Sequence, residues 1–135
     1  MSTEEKKGIE KDLSGIAMDA GNEPIWNFRE FDEKFVEGQG YIKLPKEGSK
    51  YSMSIAEYSA LMLERNLQED NRNVAEDMKR VKLARRLRKY GDKPMSLKMD
   101  NWLFIRDRLI KAKAPATVVV QFEEIINGTP EDEDL

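Results

Sequence analysis

Lysine and arginine fill seven of the eleven positions in residues 79–89: Lys79, Arg80, Lys82, Arg85, Arg86, Arg88 and Lys89. Cations spread over about three helical turns can neutralise successive phosphates and release the counterions condensed on a nucleic acid. The same charges suit an acidic protein partner, or a solvated face closing salt bridges with Glu76, Asp77 and neighbouring helices. The helix macrodipole favours cations near a C-terminus and explains part of the bias. Tyr90 is the one aromatic next to the cluster that can stack on a base. These seven residues are the candidate basic binding face.

Catalysis has little to work with. The chain holds no cysteine and no histidine, which excludes disulfides, Cys/His zinc sites, cysteine nucleophiles and any Ser-His-Asp arrangement. Asp32-Glu33-Lys34 contains the Asp-x-Lys fragment of metal-dependent nucleases, but without the larger α/β scaffold such a site needs. Gly38-Gln39-Gly40 is followed by neither a helix nor a Gly-Lys-Ser/Thr triplet, so it is no phosphate loop. Residues 131–134 are four consecutive acids, either a solubilising terminus or a cover for the basic helix, and they lack the Asp-x-Asp-x-Asp-Gly spacing of a calcium loop. The expectation is a non-enzymatic protein with no catalytic residue, metal or cofactor.

Aromatic side chains gather upstream. Trp26, Phe28, Phe31 and Phe35 are candidate anchors, since aromatic groups dominate protein interfaces. Residues 35–42 read as two short strands joined through a glycine-bearing turn. An isolated hairpin is marginal in water, so it is expected to lie on a helical core with Trp26 and the phenylalanines as glue. The alternative is an arm that binds in trans.

Helical periodicity governs the rest. Ser54-Ile-Ala-Glu57 is a capping box, with Met53 and Tyr58 placed as a hydrophobic staple. The helix it opens runs to about Leu67 and buries Ile55, Tyr58, Leu61, Met62 and Leu67. Asn73 caps a second helix over residues 74–90, with Val74, Met78, Val81, Ala84 and Leu87 as its apolar stripe and Gly91 as a left-handed stop. Ser96 or Asp100 caps a third helix, which buries Trp102, Ile105, Leu109 and Ile110. Residues 117–127 have a β-branched composition but helical spacing at Val118, Val119, Phe122, Ile125 and Ile126, and are assigned to a fourth.

At 135 residues the chain forms one domain, and 39% apolar against 36% charged residues implies loose ends. The division is a flexible arm at 1–22, an aromatic-rich segment with a short β-hairpin at 23–51, a helical core at 52–128 and an acidic disordered tail at 129–135. The fold class is mainly α, a compact bundle or orthogonal array of about four helices with a short N-terminal β-hairpin. The first residues lack the apolar stretch of a secretory signal, and no apolar run is long enough for a bilayer.

The string MSIAEYSALMLERNL at 53–67, followed by MKRVKLARRLRKYGDKPMSLKMDNWLFIRDRLIKAKAPATVVVQFEEIING at 78–128, resembles small proteins encoded in bacteriophage and prophage genomes. The likeness lies in a Leu-rich leading helix, a second helix reading Lys-Leu-Ala-x-x-Leu and a valine-bearing last helix. Such proteins begin with a short polar lead where this chain has its aromatic segment. The resemblance implies a helical viral accessory protein, in the host cytoplasm or in the virion, and carries over no catalytic residues. The function expected is a protein-interaction module, an assembly accessory or a modulator of a host complex, with a phage or host protein as partner and self-association open. The alternative is a nucleic-acid-binding accessory using residues 79–89.

Overall fold

A computed structural model describes residues 8–67 and 73–128. Residues 1–7 of the expected arm and the acidic tail at 129–135 lie outside the described residues. The elements run β1 (Ile9–Lys11), β2 (Trp26–Phe28), β3 (Phe31–Val36), β4 (Gly40–Pro45), β5 (Lys50–Ser52), α1 (Ile55–Glu64), α2 (Val74–Tyr90), β6 (Met95–Leu97), α3 (Met99–Lys111) and α4 (Ala116–Asn127).

Among the described residues the strands form three two-stranded antiparallel sheets, β1–β6, β2–β5 and β3–β4. With four helices among the described residues, the chain is mixed α/β, which corrects the expectation of a mainly α fold with one hairpin. Four of the strands are only three residues long, too short to display the two-residue alternation by which a strand is recognised. Moreover, β1 finds its partner more than eighty residues away, with Ile9 opposite Leu97 and Lys11 opposite Met95.

Helix α1 lies at the centre, packed against α2 and α3, and α4 packs against α3. Both of its ends are finished by other parts of the chain. At its start the Ser54 hydroxyl accepts from Glu57 N–H at 3.0 Å, as the capping box requires. Two further first-turn donors, the N–H groups of Ile55 and Ala56, bond to the carbonyls of Gly15 and Leu13, satisfying groups a helix cannot satisfy itself. The Glu57 carboxylate, instead of returning to Ser54, accepts from the Tyr51 hydroxyl at 2.7 Å.

Residues 8–22, read from sequence as a flexible arm, therefore belong to the core. Leu13 and Ala17 are fully buried. The Asp12 carboxylate accepts from Ser14 N–H and Oγ, which folds the backbone over α1 and holds that carboxyl below the ordinary aspartate range. Gln121 of α4 fastens the same loop, donating to Ile16 O and accepting from Met18 N–H, both at 2.9 Å. The indole N–H of buried Trp102 donates to Ile9 O at 2.9 Å.

Helix α2 is turned relative to expectation. Its buried residues are Arg80, Leu83, Ala84 and Leu87, while Val74, Met78 and Val81 are 74, 51 and 43% exposed. The reason lies in the spacing. At 3.6 residues per turn each three-residue step retreats by about 60° around the helix, so 78, 81, 84 and 87 wind across half its circumference and cannot share one buried face. Asn73 caps this helix as expected, accepting from Ala75 and Glu76 N–H.

Gly91 ends α2 in right-handed geometry, φ −73°, and not in the left-handed form expected of it. Glycine is required there for space, because a Cβ would overlap with Ala56 Cβ and Leu87 O. Helix α3 starts from Lys98 without a side-chain cap, where Ser96 or Asp100 was expected. It buries Trp102, Ile105, Arg108 and Leu109, leaving Ile110 exposed. In α4 Val118, Phe122 and Ile126 point inward, and the Phe122 ring sits 6.3 Å from that of Trp102.

Candidate functional site

The seven basic residues do not stay together. Arg80 is buried; its Nη1 donates to Leu63 O at 2.8 Å and Arg65 O at 3.2 Å, and its Nη2 pairs with Asp77 at 2.6 Å. This residue is a structural brace, withdrawn from any ligand. Arg88 crosses to α1 and pairs with Glu64, its Nε donating at 2.9 Å. Arg86 donates to Ser96 O at 3.3 Å. Lys79 lies over the Phe104 ring at 4.4 Å and Lys89 over Tyr90 at 5.3 Å. Lys82 and Arg85 are exposed and form no ion pair among the described residues. The expected cationic face thus shrinks to Lys82, Arg85 and Lys89 on the outer side of α2, continuing the line of Val74, Met78 and Val81.

The aromatic segment keeps its character and loses its expected position. β2–β5 and β3–β4 follow one another along a single hairpin arm, linked between the two sheets by Arg29 N–H to Ser49 O and Lys46 N–H to Glu30 O. Residues 46–49 stand opposite only Arg29 and Glu30, so the strand pairing is interrupted there. The turn at the far end bonds Gln39 N–H to Val36 O, and Gly38 takes φ +85°, the left-handed value such turns need. The six pairs of β3–β4 extend for roughly 20 Å.

Neither face of β3–β4 is covered by other described residues. Phe31, Glu33 and Phe35 share one face with their partners Pro45, Lys43 and Tyr41. Phe35 and Tyr41 stack edge to face at 5.4 Å, 62 and 76% exposed, and Phe28 meets Phe31 at 6.5 Å. Trp26 is exposed under the ammonium of Lys50, 4.6 Å from its ring. The expected docking of the hairpin on the helices is absent; of this segment's apolar side chains Ile25 packs on the core cluster, and Tyr51 reaches α1 by a hydrogen bond. Tyr41, a member of the aromatic face, was not singled out beforehand. The signal was its register, since a three-residue turn around Gly38 sets Tyr41 opposite Phe35.

The arm is joined to the core at Tyr51. Its hydroxyl reaches Glu57, and the Arg29 guanidinium lies 4.1 Å from its ring centre. Burial first, then the hydrogen bond and charge of Glu57, push the Tyr51 phenol above its ordinary range, and burial alone raises that of Tyr58.

Asp32 and Lys34 project from the opposite face of the arm, and among the described residues no group of three or more acidic side chains is placed to hold a metal ion. Among the same residues no helix is long and apolar enough to cross a membrane. No family model, no curated protein and no solved structure matches the chain.

Proposed function

We propose that this protein acts by binding another protein, without catalysis, through the aromatic face of the β3–β4 arm. The observation that carries the reading is the Phe35–Tyr41 pair at the arm's far end. Two large rings meet edge to face on a hairpin that no other described residues cover, although apolar surface of this kind is normally buried. Exposed aromatic rings gathered in one patch are the residue type that most often anchors a protein interface. Charges at Asp32, Glu33, Lys34 and Lys43 keep the open strand from pairing indiscriminately with other strands. The resemblance to phage-encoded accessory proteins supplies a setting, a contact made during assembly or with a host complex.

The nucleic-acid reading is supported less well, because Arg80 and Arg88 are consumed by contacts to α1 and its C-terminal end.

The test is a photo-crosslinking amino acid placed at position 41 of the full chain, in the cells that make it, with position 124 on α4 as control. The expected result is a discrete protein adduct at 41, absent at 124 and lost when Phe35→Ser is added. Equal products from both positions, or none from 41, would overturn the proposal.

A further inference from the structure

Helix α2 has two apolar sides and the fold uses one. Arg80, Leu83, Ala84 and Leu87 are sealed inside. On the outer side Val74, Met78 and Val81 follow the i, i+4, i+7 spacing of a helix seam, covering about 10 Å of helix length. Lys82, Arg85 and Lys89 carry the same side on toward the C-terminus. The first two have no ion pair among the described residues, and the acid nearest the seam, Asp77, is held by Arg80.

From this arrangement we infer that the outer side of α2 docks an amphipathic helix of another protein, one whose apolar seam is bordered by Asp or Glu. The seam fixes the shape of the occupant, since three apolar side chains in line over two turns match the ridge of a second helix. The cations fix its charge: carboxylates beside the partner's seam meet Lys82 and Arg85 and steer the encounter. A nucleic acid would answer the cations and leave Val74, Met78 and Val81 without a contact to make. A second copy docked through the same side of α2 would bring Lys82, Arg85 and Lys89 against their own like. This surface is separate from the aromatic arm and stands or falls without it.

The experiment titrates the full chain with three fluorescent probes. One is a synthetic helical peptide of about 18 residues with leucines at helix spacing flanked by glutamates. The others are a short DNA duplex and vesicles of phosphatidylcholine with phosphatidylserine. The expected result is saturable binding of the peptide, weakened about tenfold by Met78→Ser through the loss of one buried side chain. Arg85→Glu weakens it at least as much, and Lys34→Glu on the arm leaves it unchanged. Met78 and Arg85 are exposed, so the urea midpoint of each variant should stay at the wild-type value, separating lost binding from lost folding. No saturable binding of the peptide would overturn the proposal. So would peptide binding indifferent to both α2 substitutions, or DNA or vesicle binding that falls with Arg85→Glu and ignores Met78→Ser. Peptide binding seen only after the acids at 131–134 are neutralised would assign the surface to this chain's own tail, and would overturn it too.

Discussion

Arg80 of α2 and Arg108 of α3 donate to the same acceptor, the backbone carbonyl of Arg65 that follows α1. Arg80 also reaches Leu63 O and Arg108 reaches Met62 O. The last turn of α1 has no basic residue of its own, so its exposed carbonyls and the negative end of its dipole are answered by guanidinium groups from both neighbouring helices. These two buried arginines tie three helices together at one point.

Arg80→Met should therefore cost about 1–3 kcal/mol, the range for leaving buried hydrogen-bonding groups without partners. Arg85→Met, on the outer side of the same helix, should stay within about 0.5 kcal/mol of wild type. Urea unfolding of the two variants makes the comparison, and equal losses would contradict the brace assigned to Arg80.

Gly91→Ala should destabilise by about 1–3 kcal/mol, typical of an overpacked contact. Adding Ala56→Gly should recover part of the loss, because the added Cβ collides with Ala56. A double-mutant cycle measured by thermal unfolding gives the coupling. Strict additivity would mean the helices do not meet there.

Ser59 is fully buried in α1 and its hydroxyl has no hydrogen-bond partner among the described residues. Ser59→Ala removes an unsatisfied polar atom and should stabilise the chain by up to about 1 kcal/mol. A lower melting temperature in the alanine variant would count against this account.

The two tryptophans report on the arm separately. Trp102 is enclosed and Trp26 is about half exposed. Trp26→Phe should shift the remaining emission to the blue and shield it from acrylamide. The wild-type spectrum, which includes Trp26, should be redder and more readily quenched. A wild-type chain as protected as the variant would place Trp26 under cover.

The raised phenol values of Tyr51 and Tyr58 set the alkaline behaviour. In the range above the ordinary phenol value, the folded chain keeps protons that the unfolded chain gives up. This contribution to stability is whole below about pH 10 and is lost as pH rises through the higher folded values. Urea midpoints should hold steady up to about pH 9 and fall beyond about pH 10.5. In Tyr51→Phe the fall should be shallower, from a slightly lower starting point, since that variant lacks the bond to Glu57.

What could be read from the chain was what neighbouring residues decide among themselves. Ser54 and Asn73 cap their helices through bonds two or three residues away, and the glycine turn at 38 folds its own flanks together. The fourth helix prevailed over its valines because Val118, Phe122 and Ile126 needed a common side. The outward turn of Val74, Met78 and Val81 was hidden, because α1 selects which side of α2 is covered and accepts a charged Arg80 there. Distant pairing was hidden as well, as at Ile9 and Leu97, each of which looks unremarkable alone. The basic cluster was visible as composition and not as a surface, since its members divide between bracing, aromatic contacts and solvent.

The antiparallel join between Ile9 and Leu97 bears on how the molecule is made. Ile9 leaves the ribosome well before Leu97 and Trp102 are polymerised, so a nascent chain holds β1 unpaired until they follow. Until those residues emerge, Leu13 and Ala17 have an incomplete interior to enter. Maturation is therefore gated by the synthesis of β6 and α3, and a ribosome stalled before Leu97 would carry an unfinished, protease-sensitive product.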